Sequence, residues 1–427
     1  MAGQAAQLSS PASASPGNGN ATGGDQDVSG VTGSGEATAL GDSSGGSTAG
    51  GGPPAAPAAE GPAAPAGSTV GVTKDSITIS VMVGFTGQFG PIFTKLYENG
   101  FMVWVDDVNA NGGIHGRKII AKKADNKDTS EGGVAACKDI IANGSFLAVN
   151  ILGFAGADTS AADCLDRAGI VDIGFNLSSY SPEWKNVYSA GDPSRQARPL
   201  PSFIKNVIKS TEPVGIIYVN DPQYRAMRDP VVEELANERM KLVRQEAIVT
   251  NQSSFVAELS RLRDAGAKTV VLLVGSTDVH GILRDARALR YEPNWTGTYW
   301  AVDETSAPAL MQGIQVLRNY ATTNAPAFAP YVAKAKKYGR GDVTTSTSMA
   351  LYGIGLFVGQ VLENAGPNPT REGIAGAIES IVNYNNQINM TLSFGKGVRV
   401  AEVGMWPAVC CNPDGTWRGT GEPKQRF

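Results

Sequence analysis

The segment ITISVMVGFTGQFG (77–90) decides the fold class. Its first seven residues are an apolar run of strand length, and a Gly/Thr loop and a helical stretch over about 92–109 follow. The order of strand, polar loop and helix recurs along the chain, for example from VGIIYVNDPQY (214–224) onward. Strands that alternate with helices predict βαβ units, and continuous apolar strands predict parallel sheets covered on both faces.

The part of the chain after residue 70 is too long for one hydrophobic core, so we predict two doubly wound α/β lobes. In such sheets, ligands bind beyond the carboxyl ends of the strands. Short polar loops follow the predicted strands, and we expect them to face one cleft. They are GFTGQFG (84–90), GFAGADTS (153–160), NLSSYSPE (176–183), NDPQY (220–224), GSTDV (275–279) and VDETS (302–306).

Residues 1–70 have a different composition, with 16 Gly, 7 Pro and no aromatic residue, Lys or Arg. Such a segment buries too little apolar surface to offset its loss of backbone entropy, so we predict a disordered tether. One interpretation is a leash between a membrane anchor and a binding domain, and the alternative is a dispensable low-complexity tail. MAGQAAQLSS lacks the features of a signal peptide and no Cys precedes Cys137. Either the protein is intracellular, or its signal and anchor lie upstream.

The charge of the remaining chain limits its partners. The five acids of residues 1–70 leave 36 basic against 35 acidic residues, a formal net charge of +1 for 71–427. Binding to nucleic acid requires a surplus of clustered Lys and Arg, so we expect no nucleic-acid partner. The strongest apolar run, 270–274, has the length of a strand, so we expect no membrane span.

Residues typical of catalysis are scarce. The two histidines, His115 and His280, offer no metal site and no Ser-His-Asp triad. The segment GIGLFVG (353–359) has one residue too many for a dinucleotide fingerprint and lies in a helical apolar run, which favours close helix packing. No phosphate loop is present. We therefore expect no enzyme, no cofactor and no metal.

The four cysteines form two pairs. Cys137 and Cys164 lie in the predicted helices that flank the third strand, so we predict a disulfide between them; two buried free thiols are the alternative. Disulfides persist outside the cytosol, so this pair favours export. The adjacent Cys410 and Cys411 form either a vicinal bridge or free thiols, and their spacing fits no zinc site.

Several segments together resemble the extracellular solute-binding proteins of ABC importers, in particular the leucine/isoleucine/valine-binding family with the type I periplasmic-binding fold. The resemblance runs from about residue 72 to 383, and NANGGIHGRK (109–118) is its most specific part. It implies two lobes joined by three hinge strands, with the ligand trapped when the lobes close. The lobes would comprise 71–193 with about 322–385, and 194–321 with about 386–427.

The family's binding positions can be carried over to this sequence. In the first lobe they correspond to Phe89, to Ala155, Gly156 and Ala157 at a helix start, and to Ser178, Ser179 and Tyr180. Backbone N–H groups at that helix start would hold an anionic group, with Thr159 or Ser160 assisting. In the second lobe they correspond to Tyr224, Ser276 and Asp303, with Asp303 facing the cationic group of the ligand. Helix N-capping is the alternative role for Asp303.

These observations predict a non-enzymatic, monomeric receptor. It would bind an amino acid or a similar zwitterion and deliver it to a membrane permease, tethered outside the cytoplasm as a lipoprotein. One alternative is a cytoplasmic amide or amino-acid sensor that uses the same fold to regulate a partner protein. Another is a nucleotide-dependent α/β enzyme.

Overall fold

The computed structural model describes residues 67–87, 90–152, 156–175, 177, 180–298, 308–411 and 416–427. The strands within these residues form two seven-stranded sheets. In chain order they are β1 (Ser76–Val83), β2 (Lys118–Asp125), β3 (Leu147–Leu152), β4 (Val171–Gly174), β5 (Val187–Ser189), β6 (Val214–Val219), β7 (Leu242–Ile248), β8 (Thr269–Leu273), β9 (Asn294–Thr298), β10 (Gln315–Arg318), β11 (Thr391–Gly395), β12 (Val398–Gly404), β13 (Trp406–Val409) and β14 (Arg418–Gly419).

Helices connect most of these strands, as the alternating pattern predicts. They are α1 (Gly90–Asn99), α2 (Phe101–Ala110), α3 (Ser130–Ala142), α4 (Ala157–Arg167), α5 (Pro193–Ala197), α6 (Leu200–Asn206), α7 (Pro222–Asn237), α8 (Val256–Asp264), α9 (Ser276–Ala288), α10 (Pro308–Met311), α11 (Phe328–Lys337), α12 (Ser346–Asn364) and α13 (Arg371–Glu379). No described helix combines the length and apolarity that a membrane span requires.

The first sheet has the strand order β11-β12-β5-β4-β3-β1-β2. Strands β1 to β5 pair in parallel, and alternate residues of β1 enter cores on opposite faces. Ile79 belongs to the same core cluster as Trp104 of α2, whereas Met82 belongs to a separate cluster with Ala136 of α3 and Ala161 of α4. Both faces are therefore buried, which explains why the strand reads as a continuous apolar run.

The second sheet has the strand order β14-β13-β10-β9-β8-β6-β7 and is parallel from β10 to β7. Ile216 belongs to the same core cluster as Met227 of α7, while its neighbour Ile217 belongs to a different cluster with Leu259 of α8 and Ile282 of α9. The prediction of two lobes built on mostly parallel, doubly covered sheets is confirmed.

The chain passes between the sheets three times within the described residues, after β5, after β10 and between β12 and β13. The second and third crossings are hydrogen-bonded to neighbouring backbone. The N–H of Ala321 donates to the carbonyl of Ile388 at 2.7 Å, and Met405 exchanges two backbone hydrogen bonds with Lys424. The resemblance implied three hinge strands, and these crossings agree with it.

Two elements differ from the sequence expectations. The helix expected over 92–109 is two helices, because the chain breaks at Gly100, where a Cβ atom would lie 2.3 Å from the carbonyl oxygen of Ser348. The expected lobe boundary near 385 also differs, because β12 pairs with β5 and places 391–404 in the first sheet. The strand order depends on long-range pairing that local patterns do not encode. The other lobe boundaries stay a prediction.

The GIGLFVG segment lies inside α12, as expected for a packing motif. A Cβ atom on Gly355 would lie 2.5 Å from the indole ring of Trp104, so only a residue without a side chain lets α12 approach α2 this closely. The interpretation as close helix packing is confirmed.

Candidate ligand-binding site

The predicted site residues follow strands of both sheets. Of these, Phe89, Ala155, Ser178, Ser179 and Asp303 lie outside the described residues. Gly156, Ala157, Tyr180 and Tyr224 are described, as is the backbone of Ser276. The loops after β1, β3 and β4 lie at one edge of the first sheet, since these strands are parallel neighbours. The loops after β6 and β8 share an edge of the second sheet for the same reason.

The loop after β1 is fastened to the loop after β2. The backbone N–H of Thr86 donates to Asp125 Oδ1 at 3.2 Å, and the Thr86 hydroxyl donates to Asp125 Oδ2 at 2.5 Å. The Asp128 carboxylate packs directly against Gly84 and Gly87 of the same loop. These contacts fix the start of the segment that leads to Phe89.

The start of α4 has the geometry that backbone recognition of an anion requires. Gly156 adopts a left-handed conformation with φ 77° and precedes the buried Ala157, so the first N–H groups of the helix lack intrahelical acceptors. The Ser160 hydroxyl donates to the Gly156 carbonyl at 2.9 Å, so it is engaged within the helix. Asp158 in the first turn is fully buried and brings its own carboxylate to this helix end.

Tyr180 packs against an aromatic residue of the first lobe. Its ring meets Trp184 edge-on at 5.5 Å, in a small apolar cluster with Ala162, Leu177 and Val187. Burial raises the pKa of the Tyr180 hydroxyl. The structure therefore assigns the ring a packing contact behind α4.

A disulfide joins Cys137 of α3 to Cys164 of α4, with their Cα atoms 6.2 Å apart. The predicted bond is confirmed, and it holds together the two helices that precede and follow β3 in the sequence. Cys410 and Cys411 form a vicinal bridge at the end of β13.

Tyr224 lies in the first turn of α7, where its backbone N–H donates to the N-cap residue Asp221 at 2.9 Å. Its half-buried ring packs against both large apolar cores. Burial, followed by the charges of Asp221 and Asp278, raises the pKa of the hydroxyl, which therefore stays protonated and able to donate a hydrogen bond.

Sequence reasoning missed Asp278, two residues beyond the predicted Ser276. Asp278 lies in the first turn of α9, directly after β8, and is 1% exposed. One carboxylate oxygen accepts the N–H of Asn251 at 2.8 Å, and burial raises the pKa of the carboxyl. The presence of an acid within the polar loop GSTDV (275–279) could have indicated Asp278 as a candidate site residue.

Asp172 was also missed, although an acid in the middle of the apolar strand β4 is an unusual residue. It is fully buried, and neither carboxylate oxygen has a hydrogen-bond partner within the described chain. Burial and the neighbouring Asp158 raise the pKa of Asp172 to about 8, so the group is largely protonated at neutral pH.

Arg318 ends β10 at the second crossing and is 1% exposed. Its guanidinium donates to the Ser346 hydroxyl at 3.0 Å and lies over the rings of Tyr320 and Trp417 at 4.8 and 5.7 Å. The hydrogen bond ties the crossing to α12, and the cation–π contact with Trp417 ties it to the end of the chain.

The described residues contain no cluster of three or more His, Cys, Asp or Glu that could hold a metal ion. The features that converge at the strand ends are helix N-termini, hydroxyl groups, an aromatic ring and buried carboxyls, which are suited to binding a small polar molecule.

Residues 76–407 match the sequence profile of the periplasmic binding protein family. The chain belongs to this family. The resemblance found in the sequence is confirmed, and so is the expectation of a binding protein rather than an enzyme. Membership of this periplasmic family implies a location outside the cytoplasm, and the Cys137–Cys164 disulfide is consistent with that location.

This periplasmic binding protein is similar to a Leu/Ile/Val-binding protein homolog of Brucella melitensis, with 25% identity over 245 residues. The match covers 54% of this chain and 65% of the relative, so the chain spans less than two thirds of that relative's length.

Solved structures share the fold. An ABC transporter substrate-binding protein from Desulfitobacterium hafniense in complex with Leu superimposes with a TM-score of 0.66 at 18% identity, covering 81% of this chain and 100% of that one. A solute-binding protein from R. palustris in complex with 4-hydroxybenzoate superimposes with a TM-score of 0.67 at 16% identity, covering 82% and 96%.

Proposed function

We propose that this protein is the extracytoplasmic substrate-binding protein of an ABC importer and that it binds an amino acid or a related zwitterion. The observation that carries the proposal is the family match over residues 76–407, which includes the strands β1 to β12 and all three crossings. The Leu/Ile/Val-binding relative and the structure with bound Leu support an amino-acid ligand.

In this proposal the ligand lies between the two sheets and is trapped when the lobes close about the three crossings. The N-terminus of α4 would hold its anionic group, aided by Ser178 and Ser179. Phe89 and Tyr224 would form the walls, and Asp303 would face the cationic group. A monomeric binding protein tethered through residues 1–70 would deliver the ligand to a membrane permease.

The disulfide favours this proposal over a cytoplasmic sensor with the same fold. A thiol pair in the cytosol is kept reduced, whereas α3 and α4 are joined here by a bond. A nucleotide-dependent enzyme is disfavoured because the Gly-rich segment of α12 is occupied by helix packing.

The test is a thermal-shift screen of the twenty amino acids, their amides and aromatic acids, followed by calorimetry. A compound at 100 times its Kd should stabilise the protein by about 2.7 kcal/mol. Solution scattering should then show a smaller radius of gyration with the bound compound. The proposal fails if no compound binds saturably, or if a bound compound is chemically converted.

A further inference from the structure

Asp278 has an unused hydrogen-bonding position deep in the second lobe. The side chain is 1% exposed, and its Oδ1 accepts the backbone N–H of Asn251 at 2.8 Å. Its Oδ2 is fully buried and has no hydrogen-bond partner among the described residues. A buried carboxylate oxygen without a partner carries a large desolvation cost, so such an oxygen calls for an explanation.

Two other poorly exposed acids in the same lobe are fully partnered. Asp285, on the same helix, accepts from Arg284 at 2.9 Å and from the N–H of Phe255 at 2.8 Å. Glu246 on β7 pairs with Arg244 and Arg261 at 2.6 and 2.7 Å. Although burial opposes this effect, the arginines hold the pKa of both acids below the ordinary value.

Asp278 lacks such a partner among the residues that the structure describes. Burial raises the pKa of its carboxyl, only the N–H of Asn251 opposes that rise, and no Lys or Arg contributes. The described part of the lobe thus provides a cation for Asp285 and Glu246 and none for Asp278, which leaves Oδ2 available to a positively charged nitrogen from outside those residues.

The position of Asp278 connects it to the candidate site. It follows β8, which pairs with β6, and β6 leads into α7 and Tyr224. The charge of Asp278 also contributes to the raised pKa of the Tyr224 hydroxyl, so the two groups are near neighbours. Asp278 therefore lies at the sheet edge where ligands of this fold class bind.

We infer that Oδ2 of Asp278 receives a positively charged nitrogen of the ligand, beside the Tyr224 ring, and that this contact selects ligands carrying an ammonium group. The inference rests on the proposed function and assigns to Asp278 the role that the family resemblance implied for Asp303. An ammonium N–H donated to a buried carboxylate is a charge-assisted hydrogen bond, which is among the stronger polar contacts in proteins.

The test compares Asp278→Asn with the wild-type protein by calorimetry. The probes are the amino acids that bind in the screen, together with their deaminated acids, such as L-leucine with 4-methylpentanoate. The amide keeps an oxygen for the Asn251 N–H and removes the charge. We expect affinity for the amino acid to fall about 10- to 100-fold, while affinity for the deaminated acid changes little.

The matched control is Asp221→Asn, which removes an acid near Tyr224 but keeps the N-cap of α7. We expect this control to change affinity by less than about threefold, because Asp221 is partly exposed and its carboxylate is already engaged in capping α7. Thermal unfolding without ligand checks that each variant is folded, and Asp278→Glu provides a second variant that keeps the charge but shifts its position.

The outcomes separate the two proposals. The inference is overturned if Asp278→Asn and Asp221→Asn weaken binding equally, if a folded Asp278→Asn binds amino acids normally, or if the wild-type protein binds only compounds without a cationic nitrogen. In the first two cases the proposed function stands, whereas in the third case substrate binding stands but the assignment of a zwitterionic ligand fails together with the inference. If the wild-type protein binds nothing in the screen, the proposed function fails, and the inference fails with it.

Discussion

Replacing Asp172 by Asn should make the protein more stable at alkaline pH and leave it unchanged in acid. The carboxyl of Asp172 is fully buried on β4, and burial together with Asp158 raises its pKa from 3.8 to about 8. The native state therefore binds a proton that the unfolded state releases between these two pH values. The contribution of this group to stability is greatest below pH 3.8 and is lost as the pH rises toward about 8.

The size of this loss follows from the same two values. Each pH unit between them costs about 1.4 kcal/mol, so the free energy of unfolding should fall by roughly 4 kcal/mol from pH 5 to pH 8 because of this group. Relaxation around the buried charge reduces the loss, and we take about 2 kcal/mol as its lower limit. Asn resembles the protonated carboxyl in shape and does not ionise, so the variant should escape the loss.

The measurement is urea unfolding at pH 5, 6, 7 and 8 of the wild-type protein, Asp172→Asn and the control Asp75→Asn, which removes an exposed carboxylate before β1. The difference in unfolding free energy between Asp172→Asn and wild type should grow with pH, and that of the control should stay flat. If the unfolding free energies of Asp172→Asn and wild type depend on pH in the same way, the reasoning is refuted. Asp172 would then have the same pKa in the folded and unfolded states.

Two further perturbations test the packing around the first sheet. Replacing both Cys137 and Cys164 by Ala should lower the free energy of unfolding by about 3.6 kcal/mol according to the loop-entropy model. The measurement is urea unfolding of the variant and of the oxidised wild-type protein. A loss of less than about 1 kcal/mol would contradict the loop-entropy model. Gly355→Ala should cost about 1–3 kcal/mol because the new methyl group would overlap the Trp104 ring. The control Gly376→Ala, on an open face of α13, should be neutral or stabilising, and equal effects at the two glycines would exclude steric overlap as the cause.

The sequence predicts the repeating units of this fold well, because each unit is encoded locally. The strand at Val270 and the helix with Gly355 lie where the apolar patterns place them. The break at Gly100 and the pairing of the 391–404 hairpin with β5 could not be predicted, since both depend on contacts with residues far away in the chain.

In the candidate site, too, locally encoded features could be predicted and features that depend on distant contacts could not. Tyr224 lies at the start of a helix after a strand, as its loop predicts. The roles of Asp278 and Asp172 could not be inferred, because an acid in a polar loop is usually solvated and its burial depends on the elements packed around it. The packing of Tyr180 on Trp184 could not be inferred either, because it depends on the fold around the loop, and the ligand contact of Tyr180 stays a prediction.

The first sheet also bears on how the molecule is made. Its strands β5 and β12 are neighbours, yet the entire parallel part of the second sheet lies between them in the sequence. The ribosome therefore synthesises β11 and β12 of the first sheet only after β6 to β10 of the second sheet. Because neither lobe is encoded by one continuous stretch of the gene, neither can be expressed alone as one uninterrupted fragment. Such distant partners favour slow folding, which leaves time for the nascent polypeptide to engage secretion machinery before it becomes compact.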